Sequence, residues 1–243
     1  MKRILLLLVS LCAGVAQAQE QNFEEIVVTA SRSESAKIPG TSLKRPGDYI
    51  LLQVVVRNDS RDAETRKVEI YDTLRAVIAA ANKDQSIELS VIGEGSLVLP
   101  LKLDSATLAL SRDNLPDTSK TTISVKTRIP AKVANSSALV AKLKDFVSAI
   151  KPVGRTLIDK DGAVEISIVN PAQYRDRVIE LFAEDIKKVT SALGQDYKVI
   201  AHGIDAPIQW VRAGMLEVAL FVPYGYDVLP ASVTSYTKIN QED

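Results

Sequence analysis

His202 is the only imidazole in the chain and Cys12 the only thiol. A single His cannot build a multi-His metal site within one chain. A Ser–His mechanism would need Ser, His202 and an acid to converge, and the sequence has no nucleophile elbow to arrange them. His202 follows the strand-like run Tyr197–Ala201 and reads as a structural or surface residue at a strand end. Gly93-Glu94-Gly95 is a lone G-x-G. The dinucleotide fingerprint requires a third glycine three residues on and a helix behind it, but Val98 stands there in a strand pattern, so the segment reads as a hairpin turn. Asp159-Lys160-Asp161-Gly162 opens like a calcium loop but lacks the later oxygen ligands and terminal Glu. It too reads as a hairpin turn. Glu184 and Asp185 are adjacent on a helical pattern and point in different directions, so they form no acid–base pair. Trp210 suits core or subunit packing, and Arg57, Arg61, Asp62, Glu64, Arg66 and Lys67 suit a solvated helix face. No catalytic, cofactor-binding or metal-binding residue is therefore assigned, and thiol chemistry depends on the fate of Cys12.

The first residues decide that fate. Lys2 and Arg3 precede an apolar stretch from Ile4 to Ala16, and Ala16-Gln17-Ala18 offers small residues at a cleavage site. This is the pattern of a bacterial signal peptide over residues 1–18, with a mature start at Gln19. Cleavage removes Cys12, so the mature chain needs no disulfide. It also turns a neutral balance of 30 Lys+Arg and 30 Asp+Glu slightly acidic, which gives no global attraction to nucleic acid. No later segment is long and apolar enough to be a transmembrane helix. The expected location is the periplasm, with outer-membrane association as a further option.

Glu24-Glu25-Ile26-Val27-Val28-Thr29-Ala30-Ser31-Arg32 resembles the TonB box at the start of mature TonB-dependent receptors. The resemblance implies partner binding by strand addition through Glu25, Ile26, Val27, Val28, Thr29 and Ala30. The residues alone also fit an ordinary strand, or an arm pairing with a neighbouring subunit. Ser31–Pro46 is rich in Ser, Lys and turn residues and reads as a linker. Residues 19–46 are thus expected to be a strand-like arm tethered to the main body.

Residues 47–229 read as an α+β body, with mixed or antiparallel sheets packed on three helices. Tyr49–Arg57 is a continuous apolar run, the mark of a buried strand. Asn58-Asp59-Ser60 offers an N-cap for a helix over about 62–82, whose stripe is Ile70, Leu74, Val77, Ile78 and Ala81. Strands are expected at 87–91, 97–103, 106–110 and 121–129, and a second helix near 136–150. Strands at 153–158 and 164–169 flank the Asp159–Gly162 turn. Asn170-Pro171 starts a third helix that ends at Gly194, and strands near 197–201, 208–212 and 216–222 follow. Residues 230–243 form a polar tail. A weak internal duplication of a strand-helix-strand unit aligns Val68 with Ile179, Ile70 with Leu181, Tyr71 with Phe182 and Ile78 with Val189.

Pro46-Gly47-Asp48 followed by Tyr49–Val56, together with Tyr174-Arg175-Asp176-Arg177 through Ala192-Leu193-Gly194, resembles the SIMPL-domain family of exported bacterial proteins. The resemblance implies an α+β domain that tends to form ring-like homo-oligomers, with no established catalytic residues. The expected function is a non-catalytic binding or scaffold protein of the cell envelope. The alternatives are an accessory of TonB-dependent transport recruited through residues 24–32, and a hydrolase.

Overall fold

The computed structural model describes residues 24–28, 40–104, 108–132 and 135–234. The signal-peptide segment with Cys12, Thr29 and Ala30 of the TonB-box-like motif, residues 31–39 of the linker and 235–243 of the tail lie outside the described residues. The strands are β1 (Glu25–Val28), β2 (Leu43–Pro46), β3 (Tyr49–Asn58), β4 (Glu88–Ile92), β5 (Val98–Pro100), β6 (Ser111–Arg112), β7 (Ser119–Arg128), β8 (Thr156–Asp159), β9 (Val164–Val169), β10 (Tyr197–His202), β11 (Gln209–Arg212), β12 (Glu217–Phe221) and β13 (Gly225–Pro230). The helices are α1 (Ala63–Ala81), α2 (Ser136–Ser148) and α3 (Arg175–Leu193). This is the expected α+β class.

The main sheet is antiparallel in the order β1-β9-β3-β7-β4-β5, with β6 on β7 and β8 on β3. A bridge between Ile26 and Leu97 brings β1 back to the start of β5 and nearly closes the sheet into a barrel. β3 is the central stave. Ile50, Leu52, Val54 and Val56 face the main core, which includes Ile70, Leu74 and Val77 of α1 and Leu143 and Val147 of α2. Tyr49 and Leu51 face the other way and pack with Val27 and Val98. Burial on both faces explains why this strand reads as an apolar run from Tyr49 to Val56 interrupted only by Gln53. Two smaller sheets complete the fold: β11-β12-β2, and the two-stranded ribbon β10-β13.

Three local expectations are corrected. The α1 cap is Asp62, which accepts from the Thr65 amide at 2.7 Å. Asn58 instead donates to Glu69 and Thr156, and its Oδ1 accepts from the Ser60 amide. Asp159–Gly162 is not a hairpin, because β8 and β9 both run along β3 on the same side: Asn58 faces Thr156 and Leu52 faces Val164. They form one strand interrupted by a bulge, which Asp and Gly suit as well as they suit a turn. Gly162 is needed there, because a Cβ would meet the Gln53 carbonyl oxygen at 2.1 Å. Of the strand expected at 97–103, Val98–Pro100 pairs with β4 and Leu97 bridges to Ile26; of the strand expected at 106–110, residues 106 and 107 lie outside the described residues and 108–110 are not in a strand. Leu108, buried outside any strand, satisfies hydrophobic burial without a ladder.

The arm is also corrected. β1 pairs antiparallel with β9 from Glu25↔Val169 to Val28↔Ile166, and Ile26, Val27 and Val28 are buried. It is a stave of the barrel rather than a tethered appendage, because three consecutive apolar residues bury both faces of a strand only inside a sheet. The two helix-containing units also differ in pairing: after α1 the chain rejoins the main sheet as β4, whereas after α3 it forms the separate ribbon through β10. The helical stripe of α1 and α3 accounts for the aligned residues without a shared pairing pattern.

Candidate functional site

The polar residues of the barrel staves converge on the face opposite the helices. In β7, Thr122, Ser124, Lys126 and Arg128 alternate with residues on the helix-packed face, as a strand's period of two requires. The ladders bring Leu51 and Glu88 opposite Lys126, and Ser90 opposite Ser124. β1 adds Glu25 and Val27 to this face, and β9 adds Glu165 and Ser167.

Lys126 lies at the centre, with its side chain only 7% exposed. Its ammonium bonds to the Glu25 carboxylate, whose side chain is 12% exposed, and lies 3.4 Å from the half-exposed carboxylate of Glu88. The ammonium also stands 4.1 Å from the centre of the Tyr49 ring, a cation–π contact. Ser167 Oγ donates to the second oxygen of Glu25 at 2.5 Å. Arg128 donates to the Tyr49 hydroxyl at 2.8 Å, and Gln53 donates to Glu165 at 3.0 Å. Burial raises the Tyr49 pKa, and the Glu88 charge raises it further, while Arg128 opposes the shift. Tyr49 therefore stays a neutral phenol at physiological pH. Ser90 Oγ is buried and lacks a hydrogen-bond partner among the described residues.

Of the segment assigned to partner binding, Glu25 anchors to Lys126 and Ser167, and Ile26, Val27 and Val28 fill the sheet. Sequence reasoning missed Lys126. The signal was present in Thr122, Ser124, Lys126 and Arg128, which alternate with a face that includes the apolar Ile123 and Val125. Ser and Lys together are a known catalytic pairing. In this arrangement two carboxylates engage the lysine, and Ser167 donates to Glu25 rather than to Lys126.

A second polar cluster pins the loop after α2. Glu69 accepts from Asn58, Ser60 and the Arg155 amide at 2.6, 2.8 and 3.0 Å. Donation by Asn58 is the largest of the effects that hold its carboxyl below the usual range. Gly154 lies directly over this carboxylate, where a Cβ would fall 2.0 Å from Glu69 Oε1. Thr73 accepts from the Val153 amide, and Arg155 forks onto Asp59. This clasp ties α1 to β8. A cavity of about 370 Å³ sits outside the barrel beside Arg66, Arg112, Asp113 and Asp117.

The remaining candidates fall apart. His202 ends β10, 3.6 Å from Asp227. Trp210 packs half-buried against the main core. Gly93–Gly95 turns β4 into β5. Among the described residues, no group of three or more His, Cys, Asp or Glu could hold a metal ion, and no helix is long and apolar enough to cross a membrane. No protein-family model, curated protein or solved structure matches the chain.

Proposed function

We propose that the protein is an exported, non-catalytic binding or scaffold component of the bacterial cell envelope that assembles with copies of itself. The observation that carries this reading is the use made of the barrel's interior face. Lys126, Glu25, Glu88, Arg128, Tyr49, Gln53 and Glu165 engage one another, and the motif just downstream of the leader-like segment is built in as a stave. Groups tied in this way hold a shape, whereas a general acid, base or nucleophile must be presented to a substrate. The leader-like pattern of residues 1–18 supports export.

Expression of the full chain in a Gram-negative host, followed by fractionation, intact-mass measurement and light scattering, tests the proposal. The expected result is a periplasmic protein starting at Gln19 with a mass that is a multiple of the chain's. A cytoplasmic product retaining Met1 would refute export, and a strict monomer would refute self-assembly. The alternative of TonB-linked transport requires β1 to leave β9 before residues 24–32 can pair with another sheet. Failure of the intact protein to capture an energising partner would end it.

A further inference from the structure

The ribbon β10-β13 exposes an edge and a face that belong together. The Ala231 amide donates to the Asp196 carbonyl at 2.8 Å, one step beyond the Tyr197↔Pro230 pair. Alternation along an antiparallel ladder then turns the backbone N–H and C=O groups of Lys198, Ile200 and His202 toward β13. Those of Tyr197, Val199 and Ala201 turn away, to the side of β10 on which, among the described residues, no strand of its sheet lies. The same alternation gives these three residues one side-chain face, which they share with Tyr226, Val228 and Pro230. Tyr197, Ala201, Tyr226, Val228 and Pro230 are exposed, whereas the residues of the opposite face are partly buried. β13 carries its own edge protection, because Pro230 has no outward N–H to offer. β10 has no proline and no bulge, and its one lysine is tied to the Val233 carbonyl.

We infer that the β10 edge is the self-association surface: a second copy of this chain adds its own β10 antiparallel about a twofold axis at Val199. The inference rests on the self-assembly part of the function proposed above. Charge selects the register. Centring on Val199 sets Tyr197 against the partner's Ala201 and Lys198 against the partner's Ile200. Asp196 then lies against the partner's His202, an acid beside an imidazole on each side of the axis. Centring on Lys198 would oppose two lysines, which is unfavourable in a strand pair. In the chosen register every outward N–H and C=O of Tyr197, Val199 and Ala201 finds a partner, and the two ribbons join into a four-stranded sheet with one continuous apolar face. The ribbon already packs on α3, and growth from two strands to four adds further support to it.

The test places the only thiol at the axis. In a Cys12→Ser background, Val199→Cys sets two thiols opposite each other, with the Cα separation of about 5.5 Å that a disulfide accepts. Mild oxidation should cross-link this variant at least about tenfold faster than Met215→Cys at an exposed loop, since paired thiols react at a high effective concentration. Val199→Pro, which removes the axial N–H, should reduce the mass measured by light scattering while keeping cooperative unfolding. If Val199→Pro fails to fold, the cross-linking rates decide alone. An oligomeric wild type in which Val199→Cys reacts no faster than Met215→Cys overturns the β10 contact and leaves the scaffold reading standing. A wild type that is monomeric at its highest soluble concentration overturns both.

Discussion

Glu25→Gln isolates one charge in the barrel interior. The amide keeps the length of the side chain and an oxygen for Ser167 Oγ, but removes the negative charge from the Lys126 ammonium. Removing one partner of a buried ion pair costs about 3–5 kcal/mol. Lys126 keeps Glu88 at 3.4 Å, yet Glu88 is 48% exposed and solvent-screened. The loss should therefore fall at or just below the bottom of that range, about 2–3 kcal/mol. Lys126→Met should cost a similar amount by leaving Glu25 buried without its cation. The double variant removes both charges and should be more stable than either single variant by at least about 1 kcal/mol, because no uncompensated charge remains. Urea unfolding of the four proteins measures this, with the midpoint moving and the slope unchanged. A Glu25→Gln protein within about 0.5 kcal/mol of wild type, or singles that simply add in the double, would refute the reading of this pair as a buried, coupled lock.

Other substitutions probe the surroundings. Ser90→Ala removes the buried hydroxyl that lacks a partner and should raise stability by up to about 1 kcal/mol in the same urea assay. Gly162→Ala drives a Cβ into the Gln53 carbonyl and should destabilise by about 2 kcal/mol or more, with a lowered melting temperature. The Glu69 carboxyl is held below its ordinary value of 4.5, so its contribution is present above that pH and lost as pH falls through the depressed folded value. Glu69→Gln should accordingly flatten the loss of stability seen on acidification below pH 4.5. Deleting residues 19–28 removes three buried side chains worth about 1.5–3 kcal/mol each and should yield a chain that binds a hydrophobic dye and loses cooperative unfolding.

Elements whose information is local were legible. The stripe Ile70, Leu74, Val77 and Ala81 fixed α1 to within a residue or two, and the double-sided apolar run fixed β3. Gly194 stops α3 as its type suggests, with φ near +79°. What stayed hidden depends on distant partners. Ile26-Val27-Val28 reads equally as an arm or a stave, and only Val164–Val169 decides between them. Asp159–Gly162 has the composition of a turn, and only the length of β3 makes it a bulge. Lys126 looks like one cation among thirty until Glu25, Glu88 and Tyr49 surround it.

The pairing of β1 with β9 sets an order of events. Glu25 and Ser167 touch across 142 sequence positions, and every ladder contact of β1 is comparably remote. A chain made from its N-terminus holds β1 ready long before the strand that receives it exists. The other staves around β3, namely β7, β4 and β5, can assemble meanwhile, but the last gap stays open until Val169 has been synthesised. Such late, non-local closure slows folding more than it weakens the final state. A product truncated before Val164 lacks the ladder partner of its own first strand, so closure of the barrel registers that the chain has been completed past that point.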